Sequence, residues 1–191
     1  MVNMIAALIT TILLPLAAAA PASVRDYPTT KGCTATSFSS FAWTIEDFTY
    51  HASYTFSTPA HQIAGGQVAF NLTNPAIPGE KVQCSAYSTQ LSDFFYGNLN
   101  YQCQGSKSES SFAFSRPSGR LDLNQTWTCT DADPKYPTTF HAQGTANLTL
   151  ACKESNYENP DWQIGQIYSN RVIDCKPVTL PITPNQKSAV A

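Results

Sequence analysis

Charged residues are scarce in this chain of 191 residues: Asp, Glu, Lys and Arg make up 13% of it, about half the usual share. The formal net charge is −2, and no block of Lys and Arg occurs. Proteins that bind nucleic acid carry basic patches, so the composition argues against a nucleic-acid partner. Ser, Thr, Asn and Gln supply the polarity instead, which suits the outward faces of β-strands.

Catalytic motifs are missing as well. The sequence contains no Gly-x-Ser-x-Gly nucleophile elbow and no His-Glu-x-x-His helix, and its histidines are limited to His51, His61 and His141. His51 and His141 lie on the polar phases of predicted strands, where a solvated imidazole is the usual state. A metal site or an acid/base pair would require those two strands to be neighbours.

Glycosidase chemistry needs two carboxyl groups that face one cleft, roughly 5 to 9.5 Å apart, and a sequence does not show that distance. Loop aspartates are more often turn residues than catalysts. We therefore expect a non-enzymatic protein without catalytic residues, cofactor or metal, and keep an uncharacterised secreted hydrolase as an alternative. The carboxylates open to such a hydrolase are Glu46, Asp47, Asp93, Asp122, Asp131, Asp133 and Glu158.

Closely spaced cysteines are also absent. The six cysteines lie at least 19 residues apart and form no Cys-x-x-Cys, so the ligand spacing of a zinc site is missing. An even number of cysteines in an exported chain favours structural disulfides, although many pairings are formally possible. Several cysteines fall on the same face of a predicted strand as its apolar residues, as Cys84 does with Val82 and Ala86. Sulfurs on a buried face are suited to structural disulfides.

A long apolar run occurs near the start, over residues 5–16, and is followed by alanines that offer small-x-small cleavage sites. We predict a signal peptide over residues 1–22 and a secreted, extracellular protein. The alternative is an uncleaved membrane anchor, which Pro15 and the lack of a flanking basic cluster disfavour. No other stretch approaches the roughly 18 apolar residues of a membrane span.

Short runs of alternating apolar and polar residues dominate the rest of the chain, with Gly, Pro and Asn between them. No apolar pattern of helical period persists over three turns. We predict an all-β fold, a single antiparallel β-barrel or barrel-like sandwich, over residues 41–183. Residues 23–40 are interpreted as an N-terminal lead-in and residues 184–191 as a C-terminal tail.

Three Asn-x-Thr sequons lie on these strand segments, at Asn71, Asn124 and Asn147. In each sequon the asparagine falls on the polar phase of the alternation, as Asn71 does between Phe70 and Leu72. Successive strand side chains point to opposite faces, so each asparagine is expected to face solvent, where a glycan fits. We predict N-glycans at all three positions.

Aromatic residues make up 12% of the chain, and several fall at strand ends or in loops. There they could form a platform for a partner protein or for a sugar, as in a carbohydrate-binding module. The alternative is that they close the two ends of the barrel as rim residues. These aromatic residues are Tyr96, Tyr136, Tyr157, Trp162 and Tyr168.

Several short motifs follow one another in a familiar order. Cys33 is followed ten residues later by WTIEDF (43–48), CSA (84–86) leads to YQC (101–103), and further motifs lie at 140–150 and at VTLP (178–181). Over roughly residues 33–181, this order resembles the fungal secreted family typified by the major allergen of Alternaria.

The resemblance implies a barrel of about ten or eleven antiparallel strands, without a known catalytic centre. It also implies a secreted role in contact with a host, as an allergen, as an effector acting on plant defence proteins, or as a carrier of small phenolic ligands. The expected partners are therefore a host protein or a small phenolic ligand. Neither nucleic acid nor, after signal cleavage, a membrane is expected.

The resemblance also pairs Cys84 with Cys103, and their short loop and inward-facing sulfurs favour the same bond. The family's partner for Cys129 would fall near His141, where this chain has no cysteine. The family cysteine that matches Cys33 can link two chains, so a homodimer is possible, although six cysteines can also all pair internally. The pairing left open is that of Cys33, Cys129, Cys152 and Cys175.

Overall fold

Antiparallel strands and one short helix make up residues 32–191, the part of the chain that this computed structural model describes. The predicted all-β fold is confirmed, whereas the predicted signal peptide, residues 1–22, lies outside the described residues. No helix in the described part has the length and apolarity to cross a membrane. The elements are α1 (Cys33–Phe38), β1 (Trp43–Thr58), β2 (His61–Thr73), β3 (Lys81–Ser88), β4 (Tyr101–Gln102), β5 (Ser108–Ser115), β6 (Arg120–Cys129), β7 (Thr138–Asn147), β8 (Cys152–Glu158), β9 (Ser169–Cys175), β10 (Val178–Ile182) and β11 (Gln186–Val190).

The first sheet is built around the long strand β1 and has the order β3-β2-β1-β9-β8, with β10 also paired to β1. A bulge interrupts β1 between Glu46 and Thr49, where Asp47 has a positive φ of 54°. Asp adopts this left-handed conformation more readily than most residues because its short side chain bonds locally. The bulge separates the part of β1 that pairs with β10 from the part that pairs with β9.

The second sheet has the order β11-β7-β6-β5-β4. Its strand β6 buries alternate residues, as the phase of Leu121, Leu123 and Trp127 predicts. The turn from β5 into β6 contains Gly119 at a φ of 68°, and a Cβ there would lie 2.4 Å from the carbonyl oxygen of Leu148. Glycine is therefore required at this turn for both conformation and space.

The two sheets pack face to face and bury an aromatic core. The ring of Phe48, in the first sheet, lies 5.6 Å from that of Phe70 and 5.0 Å from that of Phe114 in the second sheet. Because each buried aromatic removes a large apolar area from water, these rings supply much of the driving force for packing. The largest fully buried side chains include Trp43, Trp127, Tyr50, Phe48, Phe94, Phe95, Phe112 and Phe114.

Backbone contacts join the sheets along both of their sides. On one side, Gln83 in β3 and Gln104 after β4 exchange two backbone hydrogen bonds of 2.9 and 2.7 Å. On the other side the chain passes from β10 to β11, and the Asn185 N–H donates to the carbonyl of Gln143 at 2.9 Å. The described strands thus form a barrel-like sandwich, one of the two predicted architectures, and not a closed barrel.

A buried hydrogen-bond network also links the sheets through Gln125, which is 2% exposed. Its side-chain carbonyl accepts from the indole N–H of Trp43 and from the amide of Asn74, both at 2.8 Å. Its own amide donates to Ser108 Oγ at 3.1 Å, and Ser108 donates to the carboxylate of Glu80 at 2.9 Å. Polar groups that leave water for the core are thereby satisfied.

Three disulfides use all six cysteines, each of which lies within the described residues. Cys84 is bonded to Cys103, as the resemblance implied. The four cysteines whose pairing the sequence left open form the bonds Cys33–Cys129 and Cys152–Cys175. The sulfur of Cys33 is therefore engaged within its own chain, so it is not free to form the interchain link suggested by the resemblance.

Both ends of the described chain are more ordered than predicted. Residues 184–191, expected as a tail, contain β11, which pairs antiparallel with β7 as an edge strand. The Lys187 ammonium fixes β11 to the end of α1 by donating to the carbonyls of Ser37 and Ser39 at 3.2 and 2.6 Å. Within the expected lead-in, residues 33–38 form α1, which the Cys33–Cys129 bond ties to the end of β6.

Candidate interaction surface

The hairpin formed by β8 and β9 carries a group of large apolar side chains near its loop. We call this group the hairpin surface: Tyr157, Trp162, Ile164, Ile167 and Tyr168. Ile164 is 93% exposed, Tyr157 56% and Ile167 50%, whereas Trp162 and Tyr168 are half-buried. Of the large hydrophobic residues found exposed in residues 32–191, Ile164 is exposed furthest. Side chains of this size and exposure are typical of interaction sites when they lie together.

The sequence of β8 explains why this hairpin is not buried. Six of its seven residues, 153–158, are exposed, so the strand has no apolar face to pack against the second sheet. β9 joins it to β1 by regular antiparallel pairing, as between Tyr54 and Arg171. The hairpin therefore stands at the edge of the first sheet with its loop in solvent.

The base of the hairpin is fixed by covalent and ionic contacts. Cys152 and Cys175 are directly opposed in the β8–β9 ladder and form a disulfide with a Cα–Cα distance of 3.8 Å. Further along, the Arg171 guanidinium donates to both carboxylate oxygens of Glu154 at 2.8 Å. The same guanidinium lies 5.1 Å from the centre of the Tyr54 ring in β1, a cation–π contact.

These contacts change the protonation of Glu154. Hydrogen bonds from Arg171 and from Asn156 stabilise the carboxylate, and together with the guanidinium charge they lower the pKa of Glu154 from 4.5 to about 2. The pair is accordingly charged on both sides throughout the neutral range. Since both side chains are more than 40% exposed, with values of 46% for Arg171 and 42% for Glu154, solvent screens their attraction.

The loop, residues 159–168, is ordered by its own side chains. The Trp162 indole donates to the Gln166 carbonyl at 2.9 Å, and the Gln166 side-chain oxygen accepts from the Asn159 amide at 3.2 Å. Gly165 has a φ of 95°, which lets the backbone turn between Ile164 and Gln166. Finally, the Tyr168 N–H donates to the Phe56 carbonyl of β1 at 2.8 Å, so the loop is attached to the sheet.

A groove of about 370 Å³ runs beside this loop along the hairpin. Amide, hydroxyl, carboxylate and guanidinium groups line it together with the exposed ring of Tyr157. Such groups can form directional hydrogen bonds with a polar ligand. The lining residues are Asn156, Tyr157, Glu158, Ser169, Asn170 and Arg171.

Three of the five aromatic residues considered as a possible platform lie together. Tyr157, Trp162 and Tyr168 share the hairpin, and the rings of Trp162 and Tyr168 meet edge to face at 6.0 Å. Tyr96 lies elsewhere, where its hydroxyl accepts from the N–H groups of Ser92 and Asp93. Tyr136, in the loop before β7, contacts Lys135.

Sequence reasoning missed Ile164 and Ile167. Their signal was present, since the two isoleucines lie in a segment punctuated by Asn159-Pro160 and Gly165, where a loop is expected. A sequence alone does not distinguish an isoleucine displayed by a loop from one that turns into a core.

The histidines are kept apart by the topology. His51 lies in the first sheet, with its Nδ1 2.6 Å from a carboxylate oxygen of Asp174, and His141 lies in the second sheet beside Thr126. Their strands β1 and β7 are not neighbours. The hypothesis that His51 and His141 meet as a metal site or an acid/base pair is therefore wrong. His61 contacts Ser57 on the turn between β1 and β2.

Two of the candidate carboxylates, Glu46 and Asp131, have separate structural partners. Glu46 pairs with Lys81 at 2.7 Å, and Asp131 accepts from the N–H of Thr34 at 3.0 Å in the first turn of α1. Although Asp131 lies near Cys33 and Cys129, those sulfurs are joined in a disulfide and have no thiolate to offer a metal.

The carboxylate of Asp122 is also held by structural contacts. Partial burial alone would raise the pKa of Asp122, but hydrogen bonds from the Arg120 guanidinium and from the Thr145 hydroxyl outweigh this effect and lower it. The distances are 2.9 Å from Arg120 Nε and 2.6 Å from Thr145 Oγ1. The group is held as an anion in a surface cross-strand contact, which is not the state of a general acid.

The three sequon asparagines all lie outside the core. Asn71 in β2 and Asn124 in β6 are partly exposed, and Asn147 at the end of β7 is exposed. Their cross-strand neighbours are polar: Asn71 lies opposite Glu46 and Gln83, and Asn124 lies opposite Gln143. None of these asparagines belongs to the β8–β9 hairpin.

A comparison with known protein families finds one match. The family model described as Alternaria alternata allergen 1 matches residues 45–175, which run from β1 to the end of the β8–β9 hairpin and so include the hairpin surface. No curated protein and no solved structure matches the chain significantly. The family match covers well over half of the sequence and confirms the resemblance drawn from the order of its motifs. The chain belongs to the Alternaria alternata allergen 1 family.

Proposed function

We propose that this chain is a secreted, non-enzymatic recognition protein, allergen-like or effector-like, that acts on a host by binding a protein or a small phenolic ligand. The observation that carries the proposal is the hairpin surface, where Ile164 and its neighbours are displayed by an ordered loop on a disulfide-stapled sheet. Rigid strands that position apolar loop residues are a common arrangement for binding.

The structural contacts of three candidate carboxylates favour a binding function over hydrolysis. Glu46 is paired with Lys81, Asp122 with Arg120, and Asp131 with the backbone of α1. Each of these groups has a structural partner of its own, whereas a glycosidase needs two carboxyls directed at one substrate bond.

Three features support secretion. The six cysteines form three disulfides, which persist in oxidising compartments. The sequon asparagines lie outside the core, partly exposed at Asn71 and Asn124 and exposed at Asn147. The apolar run over residues 5–16 has the composition of a signal peptide.

The test uses the purified secreted protein with plant extracellular proteins, with small phenolic compounds and with soluble wall polysaccharides. We expect saturable binding of a protein or a phenolic compound, with no substrate consumed. Hydrolysis of a polysaccharide at a rate that one Asp or Glu substitution abolishes would show instead that the chain is a hydrolase.

A carbohydrate-binding module is the second candidate, and the groove beside Tyr157 favours it. Asn156, Asn170 and Arg171 offer hydrogen bonds there, next to an exposed aromatic ring. Retention of the protein on chitin, cellulose or glucan would support this candidate. Elution from all three in the void volume would remove it.

A further inference from the structure

We propose that the hairpin surface docks a protein partner whose contact site is an apolar pocket bordered by Lys or Arg side chains. This inference rests on the proposed binding function and specifies its site and its partner. Three properties of the hairpin carry it: the shape of its apolar residues, the charge around them, and the order of the loop.

The hairpin residue that projects furthest, Ile164, is aliphatic and 93% exposed. Ile167, also aliphatic, is 50% exposed, close to the 56% of the aromatic Tyr157. A branched aliphatic side chain fits a pocket on a protein but has no flat face on which a sugar ring could stack. The Trp162 ring is less available, because Tyr168 packs against it edge to face and its N–H is bonded to Gln166. The geometry therefore favours a protein over a polysaccharide.

The charge near the loop is negative. Glu158 and Asp161 lie at the loop end of the hairpin, where Glu158 accepts from the Tyr168 hydroxyl at 3.1 Å. Of the hairpin's cations, Lys153 lies near the base, and Arg171 lies opposite Asn156 in the ladder. Arg171 is bonded to Glu154, and Lys153 stands opposite Asp174 in the ladder. Within the described hairpin, the two loop carboxylates thus have no cation of their own. A partner that covers them must supply positive charge, because burying a carboxylate without a counter-ion is unfavourable.

The loop is ordered before any partner arrives. Gln166 accepts from Trp162 through its backbone and from Asn159 through its side chain. The N–H of Gln163 donates to the same side-chain oxygen at 3.1 Å. Binding to such a loop loses less conformational entropy than binding to a flexible one, so few contacts suffice for a specific complex.

The hairpin also remains accessible if the sequons carry glycans. Asn71 lies on β2, two strands away from β9 in the first sheet, and Asn124 and Asn147 lie on β6 and β7 of the second sheet. Glycans at these positions would cover strand faces and leave the loop over residues 159–168 bare.

The inference is tested by panning a library of random peptides against the full-length secreted protein. We expect the selected peptides to combine Lys or Arg with large apolar residues. Their affinity should fall at least about tenfold for the double variant Ile164→Ala with Ile167→Ala, as for loss of a hot spot. The matched control is Ile63→Ala, since Ile63 is 64% exposed on β2 and lies outside the hairpin.

Charge is tested separately by Asp161→Lys, with Glu109→Lys on β5 as the control. The first variant should weaken peptide binding several-fold and slow association, whereas the second should leave both unchanged. Circular dichroism and thermal unfolding of every variant show whether it is folded. Because the substituted side chains are exposed, we expect melting temperatures close to that of the parent protein.

Three outcomes would overturn the inference: no selected peptides, peptides that bind the hairpin variants as tightly as the parent, or retention on a polysaccharide that the Ile164→Ala substitution abolishes. If host proteins still bind the double hairpin variant, the hairpin assignment fails and the proposed binding function stands. If the parent protein hydrolyses a polysaccharide, the proposed function itself fails.

Discussion

The indole N–H of Trp43 donates to the side-chain carbonyl of Gln125 across 2.8 Å, which joins the two sheets inside the aromatic core. Asn74 donates to the same oxygen. We expect Gln125→Leu to lower the free energy of unfolding by about 3 kcal/mol, because two buried donors lose their acceptor at about 1–3 kcal/mol each. Urea denaturation of the purified protein measures the change.

The control for that substitution is Gln143→Leu, which places the same side chain at an exposed position of β7. It should change the unfolding free energy by less than about 0.5 kcal/mol. Equal destabilisation by the two variants would mean that the network through Gln125 does not stabilise the interface between the sheets.

The disulfides should differ in their effect on stability. Cys33–Cys129 spans a sequence separation of 96 and Cys152–Cys175 one of 23. In the chain-entropy description, the longer loop contributes about 5 kcal/mol and the shorter about 3 kcal/mol, so removing the first pair with alanines should cost more. Urea midpoints of the two double variants give the comparison, and a reversed order would contradict it.

Non-reducing electrophoresis examines the same bonds in a different way. Because Cys33 is bonded to Cys129 within the chain, we expect the secreted protein to migrate as a monomer without reductant. A homodimer, if one forms, should then be non-covalent and visible by size-exclusion chromatography alone. A covalent dimer that Cys33→Ala abolishes would contradict the internal pairing.

Glycosylation is expected at each of the accessible sequons. Endoglycosidase treatment of the secreted protein should increase its electrophoretic mobility, and Asn71→Gln, Asn124→Gln and Asn147→Gln should each remove one glycan. Intact mass spectrometry counts the losses. A treated sample with unchanged mobility would rule out N-glycans on this protein.

We expect the contact between Glu154 and Arg171 to depend on pH. The pKa of Glu154 is lowered from 4.5 to about 2. The stabilisation of the fold by the ionised Glu154 is therefore fully present above pH 4.5 and is lost as the pH falls towards about 2. A carbon-detected NMR titration should place the midpoint of Glu154 near 2. Arg171→Gln should move it up towards 4.5, whereas Arg120→Gln, in the second sheet, should leave it in place.

The strands that bury one face could be predicted from the sequence. In β3 and β6, exposed or partly exposed residues alternate with buried ones. This alternation is visible in the sequence because most of the buried positions carry apolar residues. β11 carries no such signal, because all five residues from Gln186 to Val190 are exposed. Its place beside β7 is set by backbone pairing and by the Lys187 contact with α1, and neither leaves an apolar pattern in the sequence.

Two stretches in which apolar and polar residues alternate, from Phe95 to Cys103 and from Phe140 to Cys152, are longer than the strands formed there. The alternation from Phe95 to Cys103 yields only the short β4, and the run from Phe140 to Cys152 stops at Asn147. In the second run, the Leu148 N–H donates to the carbonyl of Gly119 at 2.7 Å instead of continuing the ladder. Tertiary contacts of this kind override a local pattern.

The candidate site was predictable in residue type but not in position. Tyr157, Trp162 and Tyr168 stand out in the sequence as loop aromatics, yet their meeting depends on the pairing of β8 with β9. Those strands lack a clear apolar phase, since the residues of β8 from Lys153 onward are exposed. The acidic and aliphatic residues of the loop can be identified as a possible interaction surface only when the structure shows that the hairpin lies outside the core.

Hydrogen exchange shows directly whether the chain acts by recognition through the hairpin surface. Exchange of the full-length secreted protein is followed by mass spectrometry with and without a selected basic, apolar peptide. We expect slower exchange confined to residues 157–168, which Ile164→Ala with Ile167→Ala abolishes and Ile63→Ala preserves. Protection at another surface, or none in that loop at a saturating peptide concentration, would contradict it.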